Sequence, residues 1–275
     1  TVYTVTGVTG SCSNTSTISL TVNSLPTLIA SSNPTAVCAG SSATLTGNGA
    51  STYTWNPGAI AGTTIAVTPT VTTVYTVTGT SATGCTNTTT LSLTVNANPT
   101  LSVAAAANTI CAGSTTTLGV IGAVSYTWNP GGTTGFTVAV SPTITTTYSV
   151  TGANITGCSN TNTLTINVIA SPTVTAIASP TAICSGSSST LTANGATSYT
   201  WNPGALSGTT IVVTPTSTTI YTVTGDNGIC SNTTTVSLTV NPTLTLTASS
   251  NPTVLCIGNT ATLTGTGAST YTWNP

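Results

Sequence analysis

The chain contains no Lys, Arg, His, Met, Glu or Gln, and its only ionisable carboxylate side chain is Asp226. Each absence removes a class of function. General acid–base catalysis needs a group that titrates near working pH. Ser, Thr or Cys nucleophiles need a neighbouring base, and none is encoded. Without Lys and Arg there is no basic patch for nucleic acid and no polybasic segment for anionic lipid. Without several carboxylates calcium lacks its ligands, and without His or a CxxC pair zinc lacks its own. Asp226 itself lies in Gly225-Asp226-Asn227-Gly228, where a turn-forming role accounts for it. An enzyme is therefore not expected, nor a small-molecule substrate, a metal or any other cofactor. No apolar run reaches the length of a membrane-spanning helix. No peptide bond in the chain is a trypsin site.

What remains is rich in Thr, Ser, Val and Gly, with a hydrophobic share of 38%. That share is too high for a polar disordered tail. β-Branched residues favour strands, and most strong helix formers are missing. A formal net charge of −1 over 275 residues leaves little repulsion to keep copies apart. Either a covalent glycan coat replaces the charge, or the chain is built to associate with its neighbours or with itself. Both point outside the cell.

Repetition sets the architecture. Tyr-Thr-Trp-Asn-Pro occurs four times, with Trp55, Trp128, Trp201 and Trp273 at intervals of 73, 73 and 72 residues. Tyr-(Thr/Ser)-Val-Thr-Gly recurs from Tyr3, Tyr75, Tyr148 and Tyr221 on the same period. Spacers at Asn23–Pro26, Asn96–Pro99, Ile169–Pro172 and Asn241–Pro242 follow long strand-like runs. The pattern predicts a partial module at 1–24, whole modules at 25–97, 98–170 and 171–241, and a partial module at 242–275. This is how a window on a longer array would look.

Within each module apolar and hydroxyl residues alternate, as in half-buried strands. Examples are Leu91, Leu93 and Val95, then Tyr75 and Val77, then Tyr53 and Trp55, then Phe136, Val138 and Val140. Six or seven short strands per module call for two sheets packed face to face. The expected fold is all-β: tandem immunoglobulin-like (PKD-like) β-sandwich modules of about 73 residues. Trp55, Trp128, Trp201, Trp273, Tyr75, Tyr148 and Tyr221 are expected in the cores, in preference to a sugar-stacking surface.

Several segments resemble the Ig-like or PKD-like repeats of very large surface proteins of gliding Gram-negative bacteria, many exported by the type IX route. The likeness rests on Ile183-Cys184-Ser185-Gly186 followed by Thr190-Leu191-Thr192, and on Tyr199-Thr200-Trp201-Asn202-Pro203. It rests also on Thr146-Thr147-Tyr148-Ser149-Val150-Thr151-Gly152 leading to Gly157-Cys158, and on the spacer Asn23-Ser24-Leu25-Pro26-Thr27. The resemblance implies a secreted adhesin or fibre. The near-absence of Asp, Lys and Glu departs from that family, some of whose members carry calcium ligands.

Eight cysteines follow the period: Cys12, Cys38, Cys85, Cys111, Cys158, Cys184, Cys230 and Cys256. An even, regular count in a chain of extracellular character argues for disulfides. Three connectivities fit. Pairing within modules gives Cys38–Cys85, Cys111–Cys158 and Cys184–Cys230, with Cys12 and Cys256 bonded outside the window. Pairing across the spacer gives Cys12–Cys38, Cys85–Cys111, Cys158–Cys184 and Cys230–Cys256. The third links cysteines of neighbouring modules. The first is the expectation, because the resemblance implies it and an Ig-like module would hold its own staple.

Asn14, Asn87, Asn154 and Asn232 stand in Asn-x-Ser/Thr sequons and are candidate N-glycosylation acceptors. Four sequons are no more than chance predicts in so hydroxyl-rich a chain, and O-linked sugar on outward Thr is the better expectation. The functional expectation is a disulfide-stapled, glycosylated segment of an extracellular fibre, stalk or filament. The alternative is the spacer of a cell-surface adhesin whose binding domain lies elsewhere. Ice binding by Thr-x-Thr rows is a weaker alternative, since it calls for short repeats stacked in register and sandwich sheets twist.

Overall fold

A computed structural model describes residues 1–275 as 28 strands without a helix. The chain divides into two compact units. One comprises Thr1–Ala105, Leu118–Val138 and Tyr148–Leu164. The other comprises Ala106–Thr117, Ala139–Thr147 and Thr165–Pro275. The stretch 98–170 thus contributes to both.

The first whole repeat shows how the sequence builds a sandwich. Ile29–Asn33, Ala43–Asn48 and Thr64–Val67 form a three-stranded sheet. Ala36–Cys38, Thr86–Asn96, Thr73–Thr80, Thr52–Asn56 and Ile60–Ala61 form a five-stranded one, in that spatial order. The third repeat has the same two sheets, from Thr175–Ser179, Ser189–Asn194 and Thr210–Val213, and from Ala182–Cys184, Ser231–Asn241, Thr219–Asp226, Ser198–Asn202 and Leu206–Ser207. The second repeat has the same succession of strands. Eight strands per repeat exceed the expected six or seven, because the three-residue and two-residue strands are too short to show a period.

Alternation does the sorting. In Thr52–Asn56, Tyr53 and Trp55 turn inward while Thr52, Thr54 and Asn56 face out. Leu45 and Ile65 of the small sheet meet Trp55, Tyr75, Val77 and Leu93 of the large one in a single core. In the third repeat Leu191, Trp201, Tyr221, Val223 and Leu238 do the same. Trp55 and Trp201 are fully buried, and each indole N–H donates to a turn carbonyl, Gly62 O or Gly208 O, at 3.0 Å. Tyr53 closes a tight loop by accepting from Ala50 N at 2.7 Å and donating to Ala50 O at 2.9 Å. No buried side-chain nitrogen or oxygen lacks a partner.

The glycine of Tyr-x-Val-Thr-Gly has a packing reason. A Cβ on Gly79 would lie 2.5 Å from Leu28 Cδ2 and 2.8 Å from Ala50 Cβ. Its missing side chain leaves the groove that receives Leu28, the apolar residue just after the spacer, and Gly225 does the same for Val174. Gly49 has φ of 96°, and a Cβ there would meet Thr27 O at 1.8 Å. Both glycines therefore let the spacer lie close against the sandwich.

Two core expectations differ from the structure. Trp273 and Tyr271 are 48% and 43% exposed, because residues 242–275 supply only one strand pair, Thr247–Asn251 with Thr262–Thr266, and nothing covers it. Phe136 is exposed because it falls in the bend before Thr137–Val140 and does not join that strand's inward set.

Burial pushes the Tyr75 and Tyr221 phenols above the ordinary value of 10.0. Both stay protonated in folded and unfolded chains below that value, so their contribution is constant there. Above it the unfolded phenol ionises first, and stability falls as pH rises through the raised folded values. With no Lys, His or Glu to titrate, the denaturant midpoint should hold level from about pH 5 to 7 and drop above about pH 10. Urea unfolding across that range checks this.

Candidate functional site

The recurrent constellation of the structure is the joint where one repeat meets the next. Its first part is the strand Ala36–Cys38, which runs parallel to the end of Thr86–Asn96, with Cys38 opposite Asn96. The parallel pairing carries Cys38 to the end of the repeat from which the chain departs. Its second part is the turn before the last long strand, which holds Cys85, Cys158 or Cys230.

This placement overturns the within-module pairing. Cys38 lies beside the last residue of the eleven-residue strand Thr86–Asn96, and Cys85 lies just before its first. At about 3.3 Å per residue the two are about 35 Å apart, whereas a disulfide needs Cα atoms within about 7 Å. Cys38 bonds Cys158 of the next repeat instead, with Cα atoms 5.5 Å apart. Cys111 bonds Cys230 in the same way, at 5.6 Å. Cys38–Cys85, Cys111–Cys158 and Cys184–Cys230 do not form, nor do any of the bonds across the spacer. Cys12, Cys85, Cys184 and Cys256 are free thiols.

Polar side chains complete the joint. Cys158 Sγ lies 3.8 Å from Asn96 O, a contact without a hydrogen, since a disulfide sulfur has none. Asn154 Nδ2 donates to Ala97 O at 2.9 Å, and Asn98 Nδ2 donates back to Ala39 O at 3.2 Å. Asn154 Oδ1 also accepts from Cys158 N at 2.9 Å, which fixes the turn that presents the sulfur. The next joint repeats the plan: Asn227 Nδ2 donates to Ala170 O, Asn227 Oδ1 accepts from Cys230 N at 2.8 Å, and Cys230 Sγ lies 3.7 Å from Ile169 O.

A second set of asparagines pins the spacer. Asn87, Asn160 and Asn232 donate through Nδ2 to Pro26 O, Pro99 O and Pro172 O, at 2.9, 3.0 and 3.1 Å. Sequence reasoning treated Asn87, Asn154 and Asn232 as sequons and passed over Asn160. The signal was available, because Asn160 keeps its place in the period although it is followed by Thr161-Asn162 and is no sequon. In Asn87, Asn154 and Asn232 the nitrogen a glycan would occupy already holds a spacer carbonyl. Asn14 Nδ2 has no such partner; its Oδ1 accepts from Thr15 N.

The outward faces are hydroxyl. Thr88, Thr90, Ser92 and Thr94 are exposed along one strand, and Thr147 with Thr165 and Thr151 with Thr161 bond hydroxyl to hydroxyl at 2.8 and 3.0 Å.

No protein-family description and no curated protein matches the sequence. Similar solved structures include the eight N-terminal Ig domains of Down Syndrome Cell Adhesion Molecule isoform 1.30.30, at 13% identity and a TM-score of 0.35 over 88% of this chain. This chain spans 40% of that one. Titin domains I67–I69 match at 13% identity and a TM-score of 0.33, over 75% of this chain and 95% of that one. A structure from a 1.5-MDa bacterial ice-binding adhesin matches at 16% and 0.28, over 81% and 100%. The paired three- and five-stranded sheets of the whole repeats make the chain a tandem array of Ig-like β-sandwiches.

Replacing Asn160 by Ala strands the Pro99 carbonyl and should cost about 1 kcal/mol. Asn14→Ala should cost almost nothing, since the Asn14 side chain bonds only its own neighbour. Chemical denaturation of the two variants checks the contrast.

Proposed function

We propose that this chain is a mechanical segment of an extracellular fibre or stalk, in which length and endurance are the function. One observation carries the reading: disulfides tie each repeat to the next, at Cys38–Cys158 and Cys111–Cys230. A staple inside a domain stabilises that domain, whereas one across a joint resists separation of neighbours and limits bending between them. In the chain-entropy model, closing a separation of 120 residues contributes about 5 kcal/mol. Such bonds belong to an oxidising, extracellular setting. Freedom from trypsin sites suits exposure to environmental proteases.

The hydroxyl faces support a second element of the proposal. A chain of net charge −1 needs another polar shell to stay dispersed, and O-linked sugar on the exposed Thr rows would supply it. The same segment would serve equally as the spacer of an adhesin, because a spacer also works through length. The likeness of Tyr199-Thr200-Trp201-Asn202-Pro203 and the cysteine segments to repeats of gliding-bacterial surface proteins agrees with either use.

Electron microscopy of the native material tests the proposal. It should show threads with an axial period of one sandwich, narrow and unbranched in oxidising buffer. Separate globules under the same conditions would contradict it.

A further inference from the structure

The four free thiols are not scattered. Cys85 holds in the first repeat the turn position that Cys158 and Cys230 hold in the second and third. Its Sγ lies 3.9 Å from Asn23 O, just as the bonded sulfurs lie 3.8 and 3.7 Å from Asn96 O and Ile169 O. Cys184 holds the strand-end position of Cys38 and Cys111. It sits opposite Asn241 in a parallel pair, as Cys38 sits opposite Asn96 and Cys111 opposite Ile169. The backbone after it is held alike, with Ser185 N donating to Asn241 O at 2.9 Å where Ala39 N and Ala112 N donate to Asn96 O and Ile169 O. In both joints where a strand-end cysteine and a turn cysteine of successive repeats are present, they are bonded. Cys85 and Cys184 have the local geometry of the bonded state and lack only the partner.

We propose that Cys85 and Cys184 are open halves of the same staple. Cys85 takes the strand-end cysteine of a preceding Ig-like repeat, and Cys184 takes the turn cysteine of a following one. The linkage is polar: strand end joins turn, and like never joins like, because the two kinds of cysteine occupy opposite ends of a repeat. Cys12 belongs to the turn class and Cys256 to the strand-end class. The turn thiols thus await repeats that precede them in chain order, and the strand-end thiols await repeats that follow. Each new bond forms by exchange with a small disulfide such as oxidised glutathione. One thiolate attacks it and releases one glutathione thiol; the second thiolate displaces the other. Two protein thiols become one protein disulfide, two glutathione thiols are produced, and the electrons balance.

Two sources offer the same chemistry: further repeats of one polypeptide, or a second copy of this chain. In the second case the register fixes the bonds. Residues 242–275 carry the opening strands of a repeat and 1–24 carry its closing hairpin. A second copy laid end to end would therefore bond Cys184 to Cys12, and Cys256 to Cys85.

This inference rests on the fibre reading, and the experiment separates the two. Native material is treated with iodoacetamide without reduction, digested with chymotrypsin and analysed by mass spectrometry. Cys184 should be recovered unalkylated and bonded to a turn cysteine, and Cys85 bonded to a strand-end cysteine. Recovery of both as alkylated thiols, or of Cys85–Cys85 or Cys184–Cys184 pairs, would overturn the proposal. If threads are still seen by microscopy in that case, only the staple fails and the fibre reading survives. Reduction in denaturant then identifies the source. A mass near the 26.9 kDa of one chain means copies joined head to tail, and an unchanged high mass means repeats of one polypeptide. In the recombinant chain oxidised with the glutathione couple, Cys184→Ser combined with Cys256→Ser should abolish covalent multimers, while Cys38–Cys158 and Cys111–Cys230 remain. Persistence of multimers in that variant would also overturn the polarity.

Discussion

A disulfide closes only where two sulfurs arrive at the same place, and the parallel pairing of Ala36–Cys38 with the end of Thr86–Asn96 decides where that is. Three residues of strand carry one cysteine to the exit end of the repeat, while the other stays in the turn at the entry end. A bond inside the repeat is then geometrically closed, and a bond to the neighbour is open. The joint follows from this single pairing, and so does its polarity.

The rest of the structure serves to hold that joint in register. Gly79 and Gly49 remove the atoms that would keep the spacer away from the sandwich. Leu28 and Val174 fill the space vacated at Gly79 and Gly225, and Asn87, Asn160 and Asn232 secure the spacer carbonyls. Asn154 and Asn227 both brace the turn that offers the sulfur and grip the departing chain. Uncharged groups do all of this. Amide–carbonyl bonds are insensitive to salt and to pH across the ordinary range, unlike ion pairs. Such a joint suits a protein with only one ionisable carboxylate side chain and no basic one.

The sandwich was legible in the sequence because burial and alternation are local. Tyr53 and Trp55, Tyr75 and Val77, and Leu93 all face inward where the two-residue period places them. Positions that depend on what stands opposite were less legible. Trp273 carries the same motif as Trp55 but has no facing strands, and Phe136 keeps the right parity but precedes its strand. The cysteines misled for a related reason. Spacing along the chain records how far apart two residues are in sequence, and a separation of 47 from Cys38 to Cys85 resembles that of a domain staple. Which end of the sandwich each cysteine occupies depends on a three-residue strand whose parallel partner no local pattern reveals. Of the asparagines that pin the spacer, Asn87 and Asn232 stand in sequons, which points to glycan rather than to the spacer carbonyl, and Asn160 stands in none and carries only its place in the period.

Disulfide mapping of the two bonded pairs tests the central claim most directly. Chymotryptic peptides of the unreduced protein should join the peptide containing Cys38 to that containing Cys158, and Cys111 to Cys230. Peptides joining Cys38 to Cys85 and Cys111 to Cys158 would show that each repeat staples itself, and the account of the joint would be wrong.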